Sequence, residues 1–236
     1  MKRFLGILLA MIGAALATPA LADAITLDAS DVGNSYTLTY DGYKDGTTVD
    51  GLTGTITLTL VAVTDTAYTF SYTVTNTTSD PVTGSRISSF SLNTDPTIDT
   101  ATSTGAFSYT TLDSTYPNGI GTVDVCFKDA ATGSCAGGGS GGLTLGESGS
   151  GTFTLTFSQA VDSITLSDFY LRYQSITGVD GVTSASGTGT LTSTSSGGTA
   201  VPEPSMLVLF AFGVLAILIG QRKSFARRPA RRMAFA

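Results

Sequence analysis

Two stretches of strictly alternating sequence decide the fold: TITLTL at residues 55–60 and YTFSYTV at residues 68–74. In both, apolar residues occupy every second position, and Thr or Ser fills the positions between them. Successive side chains of a β-strand point to opposite faces, so such a segment buries one face and exposes the other. The sequence therefore predicts half-buried strands with a hydroxyl-rich outer face.

Further segments have the composition of strands, and turn residues separate them. These candidate strands are residues 36–40, 87–92, 123–127, 152–157, 164–173 and 188–194. The turn signals are Asp41-Gly42, residues 76–81, residues 93–96, residues 117–119 and Asp180-Gly181. We therefore expect an all-β domain over residues 23–192, an antiparallel β-sandwich of the jelly-roll or immunoglobulin-like type.

Charge and composition argue against two classes of function, nucleic-acid binding and catalysis. Residues 23–200 contain 17 acidic residues and four basic ones, a formal charge of −13, and the chain has no His and no Trp. A strongly acidic domain repels nucleic acid, so we expect no nucleic-acid partner. His is the commonest general base and transition-metal ligand. Its absence argues against an enzyme, and we expect no catalytic residue, no metal and no cofactor.

The first 22 residues have the order of a secretory signal peptide. Lys2 and Arg3 precede a short apolar run, and Ala20 and Ala22 form an Ala-x-Ala cleavage site. We expect export through the Sec translocon and cleavage after Ala22, which makes Asp23 the first mature residue.

The C-terminal region has four parts in order. A Ser/Thr/Gly linker at residues 193–200 leads to Pro202, Glu203 and Pro204, and an apolar segment at residues 205–221 follows. The last part is a basic tail, residues 222–236, whose first basic residues are Arg222, Lys223, Arg227 and Arg228. We expect the apolar segment to be a single transmembrane helix in the inner membrane, with the basic tail in the cytoplasm.

This order of parts resembles the PEP-CTERM sorting signal of Gram-negative bacteria. The resemblance covers residues 201–236 and implies that exosortase, a transpeptidase-like membrane enzyme, recognises Pro202, Glu203 and Pro204. It implies that the basic residues from Arg222 onward act as a stop signal. It also implies delivery of the domain to the cell surface or the extracellular matrix, where such proteins are linked to exopolysaccharide and biofilm. The alternative, an ordinary anchor that is never cut, also places the domain outside.

Cys126 and Cys135 bracket a turn in a chain with export signals, which predicts a disulfide. Closing this ten-residue loop would stabilise the fold by about 2–3 kcal/mol in the chain-entropy model. The glycine-rich residues 136–142 that follow have the composition of a flexible loop. Residues 126–173 also resemble a PEP-CTERM subfamily called cistern, which implies no activity.

Three further sequence patterns could form binding sites, for ice, for Ca²⁺ and for sugar. Thr-x-Thr stripes at residues 53–59 and 188–194 could form hydroxyl ladders like those of some ice-binding proteins, although the outer face of any half-buried strand looks the same. Asp residues crowd the N-terminal strands and could hold Ca²⁺, although the EF-hand spacing is missing. Four tyrosines could stack on sugar rings: Tyr36, Tyr40, Tyr43 and Tyr170.

Arg172 is expected on the strand face opposite Phe169 and Leu171, where it can pair with Asp168 or stack on a tyrosine. A hydrolase with paired carboxylates is a weaker alternative, because the mature chain has only Glu147 and Glu203 besides its Asp residues. The sequence thus predicts a non-enzymatic, exported surface or matrix protein of a Gram-negative bacterium. It is structural or adhesive in exopolysaccharide, and the alternative is a carbohydrate- or calcium-binding module.

Overall fold

The computed structural model of the chain describes residues 23–132 and 134–196. These residues form twelve β-strands and two short 3-10 helices, Ala29–Asp31 and Gly105–Phe107. The expected signal peptide and sorting signal lie outside the described residues. Within the described residues, no helix is long and apolar enough to cross a membrane.

Every strand pairs antiparallel with its neighbours. The strands are β1 (Ile25–Asp28), β2 (Ser35–Lys44), β3 (Thr47–Thr64), β4 (Ala67–Asn76), β5 (Gly84–Asp95), β6 (Thr100–Ser103), β7 (Tyr109–Tyr116), β8 (Gly121–Lys128), β9 (Leu143–Thr144), β10 (Ser148–Thr156), β11 (Ser163–Thr177) and β12 (Ser184–Ser195). All eight strands expected from the sequence are present, so the prediction of an all-β antiparallel domain is confirmed. β12 runs through Ser195, so it includes the first residues of the predicted linker.

The strands form one continuous sheet that curls on itself. Its order is β6-β10-β4-β3-β2-β12-β11-β5-β8-β7, with β1 added to β11 and β9 added to β5. The two end strands meet where the Thr110 hydroxyl donates a hydrogen bond to the Ala101 carbonyl at 3.1 Å. The sheet is therefore nearly closed and barrel-like. It differs from the predicted two-sheet sandwich because backbone pairing continues from β2 through β12 to β11.

Aromatic side chains fill the inside of the curled sheet. The Phe90 ring on β5 lies 4.7 Å from Phe127 on β8 and 5.2 Å from Tyr72 on β4, measured between ring centroids. Phe153 on β10 lies 4.5 Å from Phe127. These rings join strands from opposite halves of the sheet, and burial of large aromatic side chains contributes most to a core of this kind.

Two glycines allow close approaches inside the sheet. A Cβ at Gly54 would lie 2.7 Å from both Leu171 Cδ1 and Tyr173 Oη, and one at Gly189 would lie 2.7 Å from the Tyr40 ring. The sequence pattern hides this requirement, because both glycines interrupt strands where residues of higher β propensity would otherwise be favoured.

The predicted turn at Asp41-Gly42 is wrong. Both residues lie within β2, where a register shift between Asp41 and Tyr43 marks a bulge. The chain reverses four residues later at Asp45 and Gly46, whose φ angles are 51° and 78°. A bulge and a turn both favour glycine after a polar residue, so local sequence does not distinguish them.

Candidate functional site

A regular array of hydroxyl groups covers the outside of β2, β3, β4 and β10, and we call it the hydroxyl face. It consists of the outward Thr and Ser residues at 35–39, 53–59, 69–75 and 148–156. The cross-strand register aligns them, so that Thr37, Thr57, Thr73 and Ser150 form one row across the four strands. The Thr-x-Thr stripe at residues 53–59 is therefore part of a two-dimensional array rather than an isolated ladder.

Hydroxyl pairs hold the array together and no charge interrupts it. Ser35 and Thr59 hydroxyls are 2.7 Å apart, Thr37 and Thr57 3.1 Å, and Thr73 and Ser150 3.0 Å. Each pair uses one proton internally, which leaves one donor and several lone pairs for solvent or a ligand. The four segments contain no Asp, Glu, Lys or Arg. Such a face can bind a partner through hydrogen bonds between uncharged groups.

The outside of β5 is different, because residues 134–142 fold back over it. Eight consecutive residues of β5, from Ser85 to Leu92, are buried. The Ser88 hydroxyl donates to the Ala136 carbonyl at 2.8 Å, and the Ser89 hydroxyl donates to the Cys135 carbonyl. We call the outward side chains of β5, β8 and β11, together with this covering segment, the polar layer.

Arg86 anchors the covering segment. Its guanidinium forms a salt bridge of 2.9 Å with Asp129, and both side chains are almost fully buried. It also donates to the carbonyls of Gly138 and Gly141, each at 2.8 Å, and to the side chain of Gln174. Arg86 thus donates to four acceptors, and two of them are carbonyls of the glycine-rich segment that was expected to be a flexible loop. Arg86 and Asp129 are 43 positions apart, so no local pattern predicts their pairing.

Cys126 and Cys135 lie together in the polar layer, and both are buried free thiols in the structure. The Cys126 thiol hydrogen-bonds to Cys135, which lowers the pKa of Cys135, while burial raises the pKa of Cys126. Lys128, almost fully buried beside them, donates to the Thr111 hydroxyl and the Thr132 carbonyl. The fold thus brings together the two cysteines that the sequence predicts to be bonded, and the disulfide itself stays a prediction.

Arg172 does not pair with Asp168. As expected, it lies on the face opposite Phe169 and Leu171, but its Nη1 donates to the Ala185 carbonyl at 3.1 Å. With its amide oxygen facing these donors, Asn118 accepts from Arg172 Nη1 at 2.9 Å. Asp168 instead accepts from the Asn93 amide at 3.0 Å. Burial lowers the pKa of Arg172.

Two of the four candidate sugar-stacking tyrosines are unavailable. Tyr36 and Tyr40 point into the core and are 6% and 1% exposed. Tyr43 and Tyr170 lie on the outside and are half-buried. Burial raises the pKa of Tyr170, and the nearby Asp168 and Tyr43 raise this pKa further. A single tyrosine pair therefore remains for a sugar ring.

The crowded Asp residues do not form a calcium site in the described residues. There, no group of three His, Cys, Asp or Glu side chains converges as metal ligands would. Asp28 and Asp31 instead cap the 3-10 helix between β1 and β2, where the Asp28 carboxylate accepts from Ser30 N at 2.7 Å. A cleft of about 410 Å³ lies between the β2–β3 and β11–β12 turns, and Lys44 closes one side by donating to the Gly181 carbonyl at 2.6 Å.

The N-terminal end of the domain is fixed beside its last strand. The Asp23 carboxylate accepts a hydrogen bond from Leu191 N at 3.0 Å. Asp23 is the residue expected to begin the mature chain. A short N-terminal strand held in this way, β1 with its preceding Asp, was not recognised in the sequence because it has only four residues.

The match to a known protein family lies at the C-terminal end of the chain. Residues 200–223 match the family model of the PEP-CTERM protein-sorting motif. The chain carries a PEP-CTERM sorting motif. The resemblance seen at Pro202, Glu203 and Pro204 is thereby confirmed, while membership of the cistern subfamily stays a prediction. No curated protein and no solved structure shows significant similarity to the chain.

The PEP-CTERM motif implies an exosortase-sorted extracellular protein. It also implies an exported, membrane-anchored precursor and a protein that ends up on the cell surface. The described β domain is thus the part of the chain that can act outside the cell. Its outer surfaces are where extracellular partners would bind.

Replacing Asp129 with Asn should destabilise the domain by about 3–5 kcal/mol, because it leaves the buried Arg86 without its counter-charge. Urea unfolding monitored by tyrosine fluorescence measures this change. The covering segment should also become sensitive to proteases at residues 134–142. Asp65→Asn, the same substitution in an exposed turn, should change stability by less than about 0.5 kcal/mol. Equal stability of the two variants would contradict the anchoring role of Arg86.

Proposed function

We propose that the β domain is a non-enzymatic structural or adhesive component of an extracellular polysaccharide matrix, delivered there by exosortase processing. The observation that carries this proposal is the combination of a PEP-CTERM motif with a domain whose large outer face is an uncharged hydroxyl array. The motif supports delivery to the surface, and the hydroxyl face supports contact with hydrated neutral sugars.

The distribution of basic residues supports the same role. Three of the four basic residues in the described chain, Arg86, Lys128 and Arg172, are buried in the polar layer. Lys44 is the remaining one and is partly exposed. The charged groups on the solvent-facing surface of the described domain are therefore almost all carboxylates. Such a surface stays hydrated and soluble and repels anionic polymers.

A neutral polysaccharide suits this surface better than an anionic one. The hydroxyl face offers many weak donors and acceptors at the regular spacing of strands, roughly 4.8 Å apart across the sheet. Single hydroxyl contacts are weak in water, so useful affinity needs many of them at once along a polymer. This favours adhesion to an extended chain over tight binding of a small sugar.

A carbohydrate-binding module with a discrete site is the second candidate, and one observation favours it. Tyr43 and Tyr170 lie close together on the outside of β2 and β11, beyond the hydroxyl face. Aromatic pairs can stack on sugar rings through their apolar faces. This candidate predicts that a short oligosaccharide binds and that Tyr170→Ala abolishes binding, whereas adhesion through the hydroxyl face is insensitive to that change.

We also propose that Cys126 and Cys135 form a disulfide after export. Their thiols already hydrogen-bond in the folded domain, so oxidation needs little rearrangement. Each thiol loses one proton and one electron to the thiol-oxidising machinery of the exporting compartment, and the S–S bond forms between them. The bond would close the turn that leads into the covering segment.

Sorting is tested by changing Pro202, Glu203 and Pro204 together to Ala. Loss of the recognition motif should leave a larger precursor in the membrane fraction, where immunoblotting of fractionated cells detects it. Deleting residues 222–236 should have the same effect, because the basic stop signal is lost. Changing Thr190 to Ala, within the domain, serves as the control and should leave processing unchanged. Normal release of the triple variant would rule out exosortase sorting through this motif.

Matrix adhesion is tested with the double variant Thr57→Val and Thr73→Val. Valine keeps the strand propensity but removes two adjacent hydroxyl groups from the middle of the hydroxyl face. Co-sedimentation with the producing cell's neutral exopolysaccharide should fall several-fold. Thr26→Val with Thr165→Val removes a hydroxyl pair, 3.1 Å apart, on β1 and β11 and is the matched control. Equal binding by both double variants would show that the hydroxyl face is not the adhesive surface.

The disulfide is tested by thiol labelling of the exported protein after denaturation. We expect no labelled cysteine without reductant and two after reduction. Cys126→Ser and Cys135→Ser should each leave one reactive thiol without reductant. Two reactive thiols in the denatured, unreduced protein would show that Cys126 and Cys135 stay reduced.

A further inference from the structure

The turn between β7 and β8 contains an Asn-Gly pair, Asn118-Gly119. The φ angles of these two residues are 64° and 76°, and positive φ at successive turn positions favours this pair. In an Asn-Gly pair the glycine nitrogen can attack the side-chain amide before it, because glycine adds no side chain around that nitrogen. The turn therefore contains an amide that can react with its own backbone.

The attacking nitrogen, Gly119 N, is unobstructed. Gly119 is exposed, and a Cβ built on it would meet nothing within 4 Å. Among the described residues, no hydrogen bond uses the Gly119 N–H. The nitrogen is therefore available for reaction, and water can reach the product.

The Asn118 side chain lies among hydrogen-bond donors. With its amide oxygen facing them, that oxygen accepts from Arg172 Nη1 at 2.9 Å, from Ser186 N at 2.9 Å and from the Ser186 hydroxyl at 3.0 Å. The guanidinium among these donors carries a full positive charge, and Arg172 is 8% exposed. Donors about 2.7–3.1 Å from an oxygen stabilise negative charge that develops on it. This position therefore favours both an oxyanion and a carboxylate.

Nearby carboxylates do not occupy Arg172. Within the described residues, Arg172 is not part of an ion pair. The Asp168 carboxylate accepts from the Asn93 amide at 3.0 Å, and the Asp124 carboxylate accepts from a backbone N–H of β5 at 2.7 Å. A carboxylate in place of the Asn118 amide would give the guanidinium a counter-charge in direct contact.

We propose that Asn118 is a self-modifying site, whose side-chain amide is converted to a carboxylate that pairs with Arg172. Gly119 N attacks Cγ of Asn118 and loses its proton to solvent, while the oxyanion that forms accepts from Arg172 Nη1 and Ser186 N. The Cγ–Nδ2 bond breaks, and the amide nitrogen takes up a proton and leaves as ammonia. Water then adds to Cγ of the cyclic imide, the bond to Gly119 N breaks, and an aspartate results.

The modification strengthens the attachment of an end strand. β7 lies at one end of the sheet order, and the turn that follows it contacts Arg172 on β11 and Ser186 on β12. Hydrogen bonds between charged partners are roughly twice as strong as those between neutral ones. The domain should therefore become more stable once Asn118 has reacted.

The first test is peptide mapping of the full chain, solubilised in detergent and kept at neutral pH. Trypsin releases residues 87–128 as one peptide, which contains both Asn118 and Asn93. Mass spectrometry should show Asn118 converted to aspartate, in a peptide that co-elutes with that of Asn118→Asp. Asn93 is followed by Thr94 and should stay an amide. An unchanged Asn118, or isoaspartate as the main product, would overturn the proposal.

The second test asks whether the fold promotes the reaction. Arg172→Met should slow the conversion of Asn118 about tenfold or more, because it removes the charged donor from the oxyanion. Lys44→Met removes a partly exposed cation at the β2–β3 turn and should leave the rate unchanged. Wild-type protein in urea, where Arg172 no longer contacts residue 118, should also react more slowly, and this comparison needs no variant to fold. Equal rates in the native protein, in Arg172→Met and in urea would refute a role for Arg172.

The third test compares two identical substitutions by thermal unfolding. Asn118→Asp should raise Tm above that of freshly prepared wild-type protein by about 2–4 °C, because it supplies the counter-charge directly. Asn93→Asp is the matched control and should lower Tm, because it places a carboxylate against Asp168. A Tm for Asn118→Asp at or below the wild-type value would contradict the pairing with Arg172.

Discussion

The whole domain depends on one constraint: the apolar face of its sheet must be removed from water, and this sheet does so by curling on itself. Alternation of apolar and hydroxyl residues makes each strand two-faced, and burial of apolar area is the dominant favourable contribution to folding. The rings of Phe90, Phe127 and Phe153 meet inside and join the two halves of the sheet. Because successive side chains of a strand point to opposite faces, the Thr and Ser side chains form the outer face when the apolar side chains point inward.

β5 is the exception that gives the domain a second buried region. Its outward side chains are covered by residues 134–142, so this strand is buried on both faces. Arg86 makes the covering possible because it satisfies carbonyls of a segment that has almost no apolar side chains of its own. Three of the four cations of the described domain are thus buried, and the charged groups left on its exterior are almost all carboxylates.

Local sequence patterns predict the longer strands and the sorting motif but not the short strands or the polar layer. The period-two alternation in β3 and β4 predicts both strands and their buried faces, since it depends only on neighbouring residues. β7 is not predicted by these patterns, because its residues do not alternate clearly and only its C-terminal end is buried. The pairing of Arg86 with Asp129 and the position of Arg172 beneath Asn118 arise from contacts between distant strands. A continuous barrel-like sheet and a two-sheet sandwich share the same strand pattern, so strand order had to come from the structure.

The central claim is that this β domain is exported and released to the cell surface through its PEP-CTERM motif. The intact mass of the protein recovered from the cell surface tests it most directly, because one measurement reports both ends of the chain. The account predicts a mass that begins at Asp23 and lacks the apolar segment and basic tail after Pro204. A full-length mass, with Met1 and the tail of residues 222–236 still present, would contradict it.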